Sequence, residues 1–326
     1  MMPSFNMMIG LPGSGKSTYA EKLAKEIDAV VFSSDLLREE LLGDVQDQSR
    51  NDFIFEELHK RINLHLADGG NVIYDATNTN RKRRKHLINH VIKCEVKHAY
   101  YVNEHYETVL QRNNQRERKV SKTVIDKMYK AMQIPFVNEG WNEVIMVSSE
   151  TNTADSRESL LNLITADREH DLLFSELQIH IPDFQSIFNV PQDSSYHSFS
   201  ISRHTFHVWK KILDEYEGAD KLQMLWAALF HDLGKGFCKS FINFKGEPTR
   251  YASFIGHEYV SSQLAVYWLT KLGYGQPFIH LTTGLIQMHM IPMNASEKKM
   301  KEVRQLMGED AFEKLLILHE ADMEGK

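Results

Sequence analysis

The chain has very little cysteine, no long apolar run and no excess of positive charge. Its only cysteines, Cys94 and Cys238, are too few for a disulfide framework, and they are typical of a reducing compartment. No stretch approaches the roughly 18 consecutive apolar residues of a membrane-spanning helix. Apolar sequence begins almost at the N-terminus, which leaves no room for a signal peptide. We therefore expect a cytoplasmic protein with no membrane association.

The formal net charge of −6 argues against a protein that coats nucleic acid through bulk electrostatics. It still permits an enzyme that holds one strand end with a few local arginines. The chain also lacks internal repeats and low-complexity tracts, and its 42% hydrophobic content is that of an ordinary globular protein. Because 326 residues exceed one typical core, we expect two domains.

The clearest motif that is present is a glycine-rich loop at residues 10–18, Gly-Leu-Pro-Gly-Ser-Gly-Lys-Ser-Thr. Residues 5–9 before it are typical of a buried strand, and residues 19–27 after it carry a helical apolar stripe. Strand, loop and helix together indicate a P-loop, whose backbone N–H groups wrap a phosphate chain. The residues expected to contact the nucleotide are Gly10, Gly13, Ser14, Gly15, Lys16, Ser17 and Thr18.

Within this loop two side chains have distinct expected roles. Lys16 would reach the β- and γ-phosphates, and the Ser17 hydroxyl would bind Mg²⁺. We therefore expect the protein to bind a nucleoside triphosphate, namely ATP with Mg²⁺.

An acid and a base follow the second predicted strand, at residues 30–34. Open α/β sheets bind ligands beyond the carboxyl ends of their strands, so Asp35 should face the phosphate pocket. Its carboxylate could accept the proton of an attacking hydroxyl, and Arg38 could hold an acceptor phosphate. The alternative is that Asp35 caps a helix and Arg38 is its solvated partner. The spacing alone leaves both interpretations open.

Three further polar features follow in the first half. Asp75 ends a strand at residues 72–75, where it would be an outer Mg²⁺ ligand or a turn or N-cap carboxylate. Residues 81–85 form a basic run, which is either a solvated face or a contact for a nucleic-acid backbone. Arg112 and Arg116 are four residues apart, so we expect both on one face of a helix, as a lid that stabilises the transferred phosphate.

Residues 5–148 resemble the P-loop 5′-hydroxyl polynucleotide kinases. The resemblance rests on the loop at 10–18, on residues 34–38 and 75–78, and on Arg112-x-x-x-Arg116. It implies that Asp35 is the general base for a 5′-OH, that Arg38 holds the acceptor's 3′ phosphate, and that the lid arginines contact the donor phosphates. P-loop kinases of small metabolites share the loop and the lid, so the acceptor is less firmly indicated than the kinase.

The second half begins after a polar stretch at residues 148–159, which has the composition of an exposed connector. We expect a P-loop domain at 1–150, a linker at 151–160 and a second domain at 161–326. From about residue 160 the pattern is that of amphipathic helices, and an apolar helix at 222–232 ends in His231 and Asp232. Imidazole and carboxylate groups from separate helices suit a divalent transition metal. The other candidates are His204, His257, His289 and Asp322, while His207 is an ordinary core or surface histidine.

This second half resembles the HD superfamily of metal-dependent phosphohydrolases. The H…HD…D pattern maps onto His204, His231, Asp232 and Asp322, and the extra histidines of two-metal members map onto His257 and His289. Lys235 matches a lysine that is frequent in the subgroup. Residues 203–258 look closest to the HD domain of bacterial CCA-adding enzymes. HD domains fused to polynucleotide kinases in bacterial RNA-repair proteins act as 2′,3′-phosphoesterases.

We therefore expect an α/β P-loop kinase domain, with a central parallel sheet flanked by helices, joined to an all-α HD domain. The cofactors would be ATP, Mg²⁺ and one or two ions of Mn, Co, Ni or Zn. The hypothesis is a bifunctional enzyme that heals RNA or DNA ends, with tRNA among the candidate substrates and a ligase as a functional link. The alternatives are a small-metabolite or nucleoside kinase fused to a nucleotide phosphohydrolase, and a kinase with a metal-free RNA-docking module.

Overall fold

The computed structural model describes residues 2–45, 47, 49–148, 154–194, 198–243 and 245–325. The chain divides into two compact units. The first unit is Met1–Met128 with Pro135–Ser149, and the second is Tyr129–Ile134 with Glu150–Lys326. The sequence analysis assigned residues 129–134 to the first domain, whereas they belong to the second unit.

The first unit is built on one parallel sheet of five strands in the order β2-β3-β1-β4-β5. The strands are β1 (Ser4–Ile9), β2 (Ala29–Ser33), β3 (Asn71–Asp75), β4 (Val96–Val102) and β5 (Glu143–Val147). The helices are α1 (Lys16–Ile27), α2 (Ser34–Leu42), α3 (Asn51–Ala67), α4 (Arg81–His86), α5 (Tyr106–Gln115) and α6 (Lys122–Tyr129). This confirms the predicted α/β sheet flanked by helices.

The central strand β1 is covered on both faces. Phe5, Met7, Met8 and Ile9 are fully buried, and a near-continuous apolar run of this kind is what a strand inside a parallel sheet requires. Helix α1 packs Ala20 and Leu23 against the sheet. The burial fixes β1 in the middle of the sheet, so the loop that follows it emerges at the centre of the carboxyl edge.

The second unit is helical, as predicted. Its helices are α7 (Ala154–Ile164), α8 (His170–His180), α9 (Ile201–Glu215), α10 (Lys221–Phe230), α11 (Lys235–Cys238), α12 (His257–Lys271), α13 (Gln276–Met288), α14 (Glu297–Met307) and α15 (Glu309–Glu324). Helix α10 is the core element: its last seven residues are all buried, and it contacts α9, α12, α13 and α15. The unit also contains an antiparallel hairpin that the sequence analysis did not predict, β6 (Ser240–Ile242) with β7 (Pro248–Ser253).

Most of the connector expected at residues 151–160 is helical. Residues 151–153 lie outside the described residues, and from Ala154 onward the chain is the helix α7. The polar sequence at the start of α7 hid this helix, because the buried side chains among residues 156–164 are Leu160, Leu163 and Ile164, near its end. Among the described residues, no helix has the length and apolar character needed to cross a membrane.

Candidate active sites

The glycine-rich loop connects β1 to α1 in a conformation that depends on glycine. Gly13 and Gly15 have φ angles of 88° and 96°, in the left-handed region. A Cβ atom at Gly13 would lie 2.5 Å from the Val109 carbonyl oxygen, so a larger residue would also clash with backbone. The loop ends at the N-terminus of the twelve-residue helix α1, where backbone N–H groups and the helix dipole favour an anion.

Lys16 and Ser17, the first residues of α1, lie at the end of this loop. The Lys16 ammonium is buried and donates a hydrogen bond of 2.8 Å to the Leu11 carbonyl oxygen. Burial lowers the pKa of Lys16 to about 8, against the opposing effect of the Asp75 carboxylate. No carboxylate among the described residues lies at hydrogen-bonding distance from this ammonium. Its positive charge is therefore available to a phosphate group.

The Ser17 hydroxyl donates a 2.8 Å hydrogen bond to Asp75 Oδ2 at the end of β3. No helix follows Asp75 directly, because α4 begins at Arg81 with the Asn80 side chain as its cap. The N-cap interpretation of Asp75 is therefore wrong. A hydroxyl and a carboxylate oxygen together are the ligands that Mg²⁺ prefers, so these two residues fit the ion that accompanies ATP.

Asp35 and Arg38 lie at the carboxyl end of β2, on the first turns of α2. Ser33 is the N-cap of α2, since its hydroxyl accepts a hydrogen bond from the Asp35 N–H. Asp35 is therefore not the cap. Arg38 is not solvated either: it is buried, and it donates hydrogen bonds of 3.0 Å to Asp35 Oδ1 and 2.7 Å to Asn51 Oδ1. The Asp35 side chain stays 41% exposed, so it remains accessible to an acceptor.

The prediction that Arg112 and Arg116 share one face of a helix is wrong. Helix α5 ends at Gln115, and Arg116 has extended backbone angles. The reason is Asn113, whose amide donates to the Val120 carbonyl and accepts from the Val120 N–H, so the chain turns back across the helix end. Arg112 still lies beside the loop, with one guanidinium nitrogen 3.5 Å from the Cβ position of Gly15.

Arg118 was missed by sequence reasoning. Its guanidinium lies 2.5 Å from Asp35 Oδ2, so the Asp35 carboxylate is held by two arginines from different segments. The basic run at residues 112–119 contained the only signal. Helical spacing could not single out Arg118 there, because the helix has already ended.

One cleft of about 1460 Å³ in the first unit is lined by Lys16, Ser17, Asp35 and Asp75. The cationic side chains that line it beyond Lys16 are Arg38, Lys82, Arg83, Arg84, Arg116 and Arg118. The basic run at 81–85 divides in two: Arg84 is buried and paired with Glu139 at 2.8 Å, whereas Lys82 and Arg83 are exposed. Arg84 is therefore structural, and the exposed pair is free to meet a ligand backbone.

In the second unit, four histidines direct their Nε2 atoms toward one another and hold their Nδ1 atoms against the backbone. Each Nδ1 lies 2.7–2.9 Å from a backbone carbonyl oxygen, and the pairs are His204 with Gly325, His231 with Ala228, His257 with Phe254, and His289 with Ile286. Because a carbonyl only accepts, each Nδ1 carries the proton, which leaves Nε2 with its lone pair. This is the orientation that a metal ligand needs.

The Nε2 atoms meet in two pairs. His204 and His231 are 3.3 Å apart at Nε2, and His257 and His289 are 3.2 Å apart. Two lone pairs that face each other repel unless a cation lies between them. Burial lowers the pKa of His289 to about 3, whereas the pKa of His231 is raised, because the Asp232 and Asp322 carboxylates outweigh its burial. A positive charge is therefore favoured between His204 and His231, whether a proton or a metal ion carries it.

With the carboxylates, the ligands form two groups of three: His204, His231 and Asp322, and Asp232, His257 and His289. Within each group the ligand atoms lie within 4.8 Å of one another. Asp232 approaches both groups, with Oδ2 3.4 Å from His204 Nε2 and Oδ1 3.3 Å from His257 Nε2. The nitrogen and oxygen donors fit one or two ions of Mn, Co, Ni or Zn.

Comparison with known proteins agrees with these two sites. Residues 6–135 match the AAA domain family, and residues 201–322 match the HD domain family. The parts of the chain that match these two families are called the AAA domain and the HD domain below. The L-seryl-tRNA(Sec) kinase of Methanococcus maripaludis is 27% identical over 179 residues, which cover 53% of this chain and 69% of that protein.

Solved structures that match belong to a Pnkp1/Rnl/Hen1 complex, one of them described as an RNA repair complex. Both are 23% identical, with TM-scores of 0.35 and 0.32 over 39% and 37% of this chain. The matches cover 43% and 42% of the solved chains, so this chain spans less than half of their length.

The HD domain surrounds its ligands with further polar groups. The Lys235 ammonium lies 2.7 Å from Asp232 Oδ2 and donates a 2.8 Å hydrogen bond to Gln192 Oε1. Gln192 was missed, since nothing in the sequence connects two residues 43 positions apart. His207 belongs to neither group of ligands, and its ring packs on Phe199.

Proposed function

We propose that the chain heals both ends of a broken nucleic-acid strand, RNA in preference to DNA. Its AAA domain transfers the γ-phosphate of ATP to a 5′-OH, and its HD domain hydrolyses a 2′,3′-cyclic phosphate or a 3′-phosphate. The observation that carries the kinase half is the shared cleft, in which the phosphate-binding loop, the exposed Asp35 carboxylate and a cationic wall lie together. A cleft of about 1460 Å³ is larger than a nucleoside triphosphate needs, which leaves room for a polymeric acceptor.

In the kinase half, the Asp35 carboxylate accepts the proton of the attacking 5′-OH. Arg38 and Arg118 fix the orientation of that carboxylate, and Arg38 is also close enough to it to hold the acceptor's phosphate. Lys16 neutralises the β- and γ-phosphates, with Arg112 approaching from α5 and Arg116 from the segment that follows it. Ser17 and Asp75 would hold Mg²⁺, which neutralises charge that develops on the transferred group.

In the HD half, the six ligands would hold one or two metal ions, which lower the pKa of a water molecule and polarise the phosphate. Lys235 adds a positive charge beside Asp232 and would face the oxygens of the bound phosphate. The carbonyl bonds at each Nδ1 keep the four imidazoles in the ligand orientation. A 2′,3′-cyclic phosphate suits this chemistry, because attack on its strained ring breaks one P–O bond and releases a ribose alkoxide.

The two activities suit one substrate. RNA cut by many ribonucleases carries a 5′-OH on one fragment and a cyclic phosphate on the other. One chain that phosphorylates the 5′-OH, opens the cyclic phosphate with one water and removes the resulting monophosphate with a second water leaves a 5′-phosphate and a 3′-OH. These are the ends that a ligase joins. The L-seryl-tRNA(Sec) kinase supports an acceptor that includes RNA, because the seryl group in its name is carried by a tRNA.

The same relative favours a second candidate, in which the acceptor hydroxyl is on an amino acid carried by tRNA. A small-metabolite or nucleoside kinase joined to a nucleotide phosphohydrolase remains the third. Under that reading the exposed Lys82 and Arg83 have no role, and their removal leaves the kinase unchanged. A metal-free docking role for the HD domain is a further rival, and metal analysis of the native protein tests it.

The deciding experiment is a gel assay on a short RNA with a 5′-OH and a 2′,3′-cyclic phosphate, with γ-labelled ATP and Mg²⁺, and with or without Mn²⁺ or Ni²⁺. Asp35→Ala should lose label transfer alone, and Asp232→Ala should lose 3′-end opening alone. Transfer only to aminoacylated tRNA would establish the second candidate. Transfer to neither RNA nor DNA by a protein that still binds ATP would leave only a small-molecule acceptor.

A further inference from the structure

The hairpin β6–β7 exposes more large apolar side chains than its size explains. Phe241 is 44% exposed, Ile242 54% and Tyr251 45%, and Ile255, just beyond the hairpin, is 68% exposed. Single exposed apolar residues are ordinary, but a cluster on one small element marks a surface that contacts something else.

Both aromatic rings on the two strands of this hairpin, Phe241 and Tyr251, have a cation beside them. The Lys239 ammonium lies 5.8 Å from the Phe241 ring centroid, and the Arg250 guanidinium lies 5.3 Å from the Tyr251 centroid. Lys239 is also paired with Asp193 at 2.6 Å, whereas Arg250 forms no ion pair within the described part of the chain. Aromatic rings for stacking, together with cations for phosphates, are the features of surfaces that bind single-stranded nucleic acid.

The hairpin also leads directly to the metal ligands. Phe254 follows β7, and its carbonyl oxygen accepts the hydrogen bond from His257 Nδ1. The Phe254 ring centroid lies 5.3 Å from the Lys235 ammonium, which in turn lies 2.7 Å from Asp232. The base of the hairpin is fixed, since Ala252 N–H donates to the Asp193 carbonyl and the Ser253 hydroxyl donates to the Ser240 carbonyl. A strand that lies on the hairpin would therefore end at the metal site.

We propose that this hairpin binds the last unpaired nucleotides of a single-stranded RNA 3′ end and delivers its terminal phosphate to the HD site. Phe241 and Tyr251 stack on bases, and Arg250 contacts a backbone phosphate. The inference rests on the proposed 3′-end activity of the HD domain. Because every base has a face to stack on, this binding tolerates any sequence, but it requires unpaired nucleotides.

The test compares substrates of two lengths in the full chain. A dinucleotide 2′,3′-cyclic phosphate is too short to reach the hairpin, and a single-stranded decamer with the same 3′ end covers it. The double variant Phe241→Ala and Tyr251→Ala should raise the KM of the decamer about tenfold or more, and it should leave the KM of the dinucleotide and both kcat values unchanged. Arg250→Ala should weaken the salt dependence of the decamer's KM.

The matched control is Leu172→Ala with Ile179→Ala on α8, which removes two other exposed apolar side chains and should change neither KM. An unchanged decamer KM in the hairpin variant, or an equal KM for a decamer whose 3′ end is base-paired, would overturn the inference. If the wild-type protein hydrolyses neither substrate, the proposed 3′-end activity has failed. The hairpin is then judged by crosslinking: 4-thiouridine near the RNA 3′ end should attach to Phe241 or Tyr251, and crosslinks elsewhere would overturn the inference.

Discussion

The two sites of this chain are built in opposite ways. The AAA site lies at the carboxyl edge of a parallel sheet, and side chains around it, such as Asp35 and Arg112, are exposed to solvent. The HD site lies in a helical core, and its six ligands, which come from residues 204 to 322, are all buried. The first site depends on backbone conformations that neighbouring residues in the sequence determine. The second depends on packing that brings distant polar groups together.

This contrast separates activity from stability. In the AAA site, an exposed side chain contributes to the reaction and little to folding, because water solvates it when its partner is removed. In the HD site, six polar groups are removed from water, and their Nε2 and carboxylate oxygen atoms are crowded together, which costs free energy that a bound cation would offset. Substitutions at the first site should change rates, and changes at the second should also change the unfolding midpoint.

The largest expected effect is at Asp35. Asp35→Asn keeps the shape of the side chain but removes its basicity, so phosphoryl transfer should fall about 10²- to 10⁴-fold. The unfolding midpoint and the HD activity should not change. The matched control on the same helix is Glu40→Gln, which removes a carboxylate paired with Arg61 and should keep full activity. An equal loss of phosphoryl transfer in both variants would show that a disturbed helix α2, and not the missing Asp35 carboxylate, lowers the rate.

Metal removal is the second test, and it should act on the HD domain alone. Mn²⁺ or Ni²⁺ at a hundred times the Kd should stabilise the HD domain by about 2.7 kcal/mol against unfolding, by mass action. Scanning calorimetry of the chelated protein, with and without added metal, measures this change. Asp232→Asn should abolish the gain, and His207→Ala, which removes a histidine outside both ligand groups, should keep it. A metal-free docking module would show no gain in any of these proteins.

The same contrast explains what the sequence could predict. The loop at residues 10–18 and the position of Asp35 follow from local rules: glycine conformation, strand ends and helix starts. The six candidate metal ligands, which the structure brings together, were singled out because the H…HD…D pattern is specific, although periodicity gave no reason for them to meet. The sequence analysis failed where one contact between residues far apart in the sequence decides where a helix ends or whether a side chain is buried.

Two of these contacts are clear cases. Asn113 binds the backbone of Val120 and ends helix α5 early, so Arg116 leaves the helix face. Arg84 pairs with Glu139, 55 positions away, which turns one residue of a basic run into a buried structural group. Neither partner is marked by spacing or composition, because both contacts depend on how the sheet brings separate segments together.

The pH dependence of ATP binding sharpens the comparison at Lys16. Its pKa is lowered from 10.5 to about 8 by burial, so the nucleotide-free ammonium loses its proton above pH 8. Phosphates bind the ammonium form, so ATP affinity should be constant below pH 8 and fall by up to about tenfold per pH unit above it. The folded protein binds fewer protons than the unfolded chain between pH 8 and 10.5, so this residue makes stability rise with pH there. Titration calorimetry from pH 6.5 to 9.5 measures the affinity.

Lys16→Arg is the control for that titration, because its guanidinium stays charged throughout the range. The variant should bind ATP with little dependence on pH, whatever its activity. A wild-type affinity that does not change through pH 9.5 would contradict a Lys16 pKa near 8 in the nucleotide-free protein.

The smallest expected effect is at Arg118, which holds the Asp35 carboxylate from the segment after α5. Both side chains are partly exposed, so their pair is worth no more than about 1 kcal/mol, and Arg118→Ala should lower kcat by about fivefold or less. The KM for ATP should stay the same, because Arg118 contacts Asp35 and not the phosphate-binding loop. Lys119→Ala removes a neighbouring exposed charge and should keep the wild-type kcat, so an equal loss in both variants would assign the effect to general charge and not to the contact with Asp35.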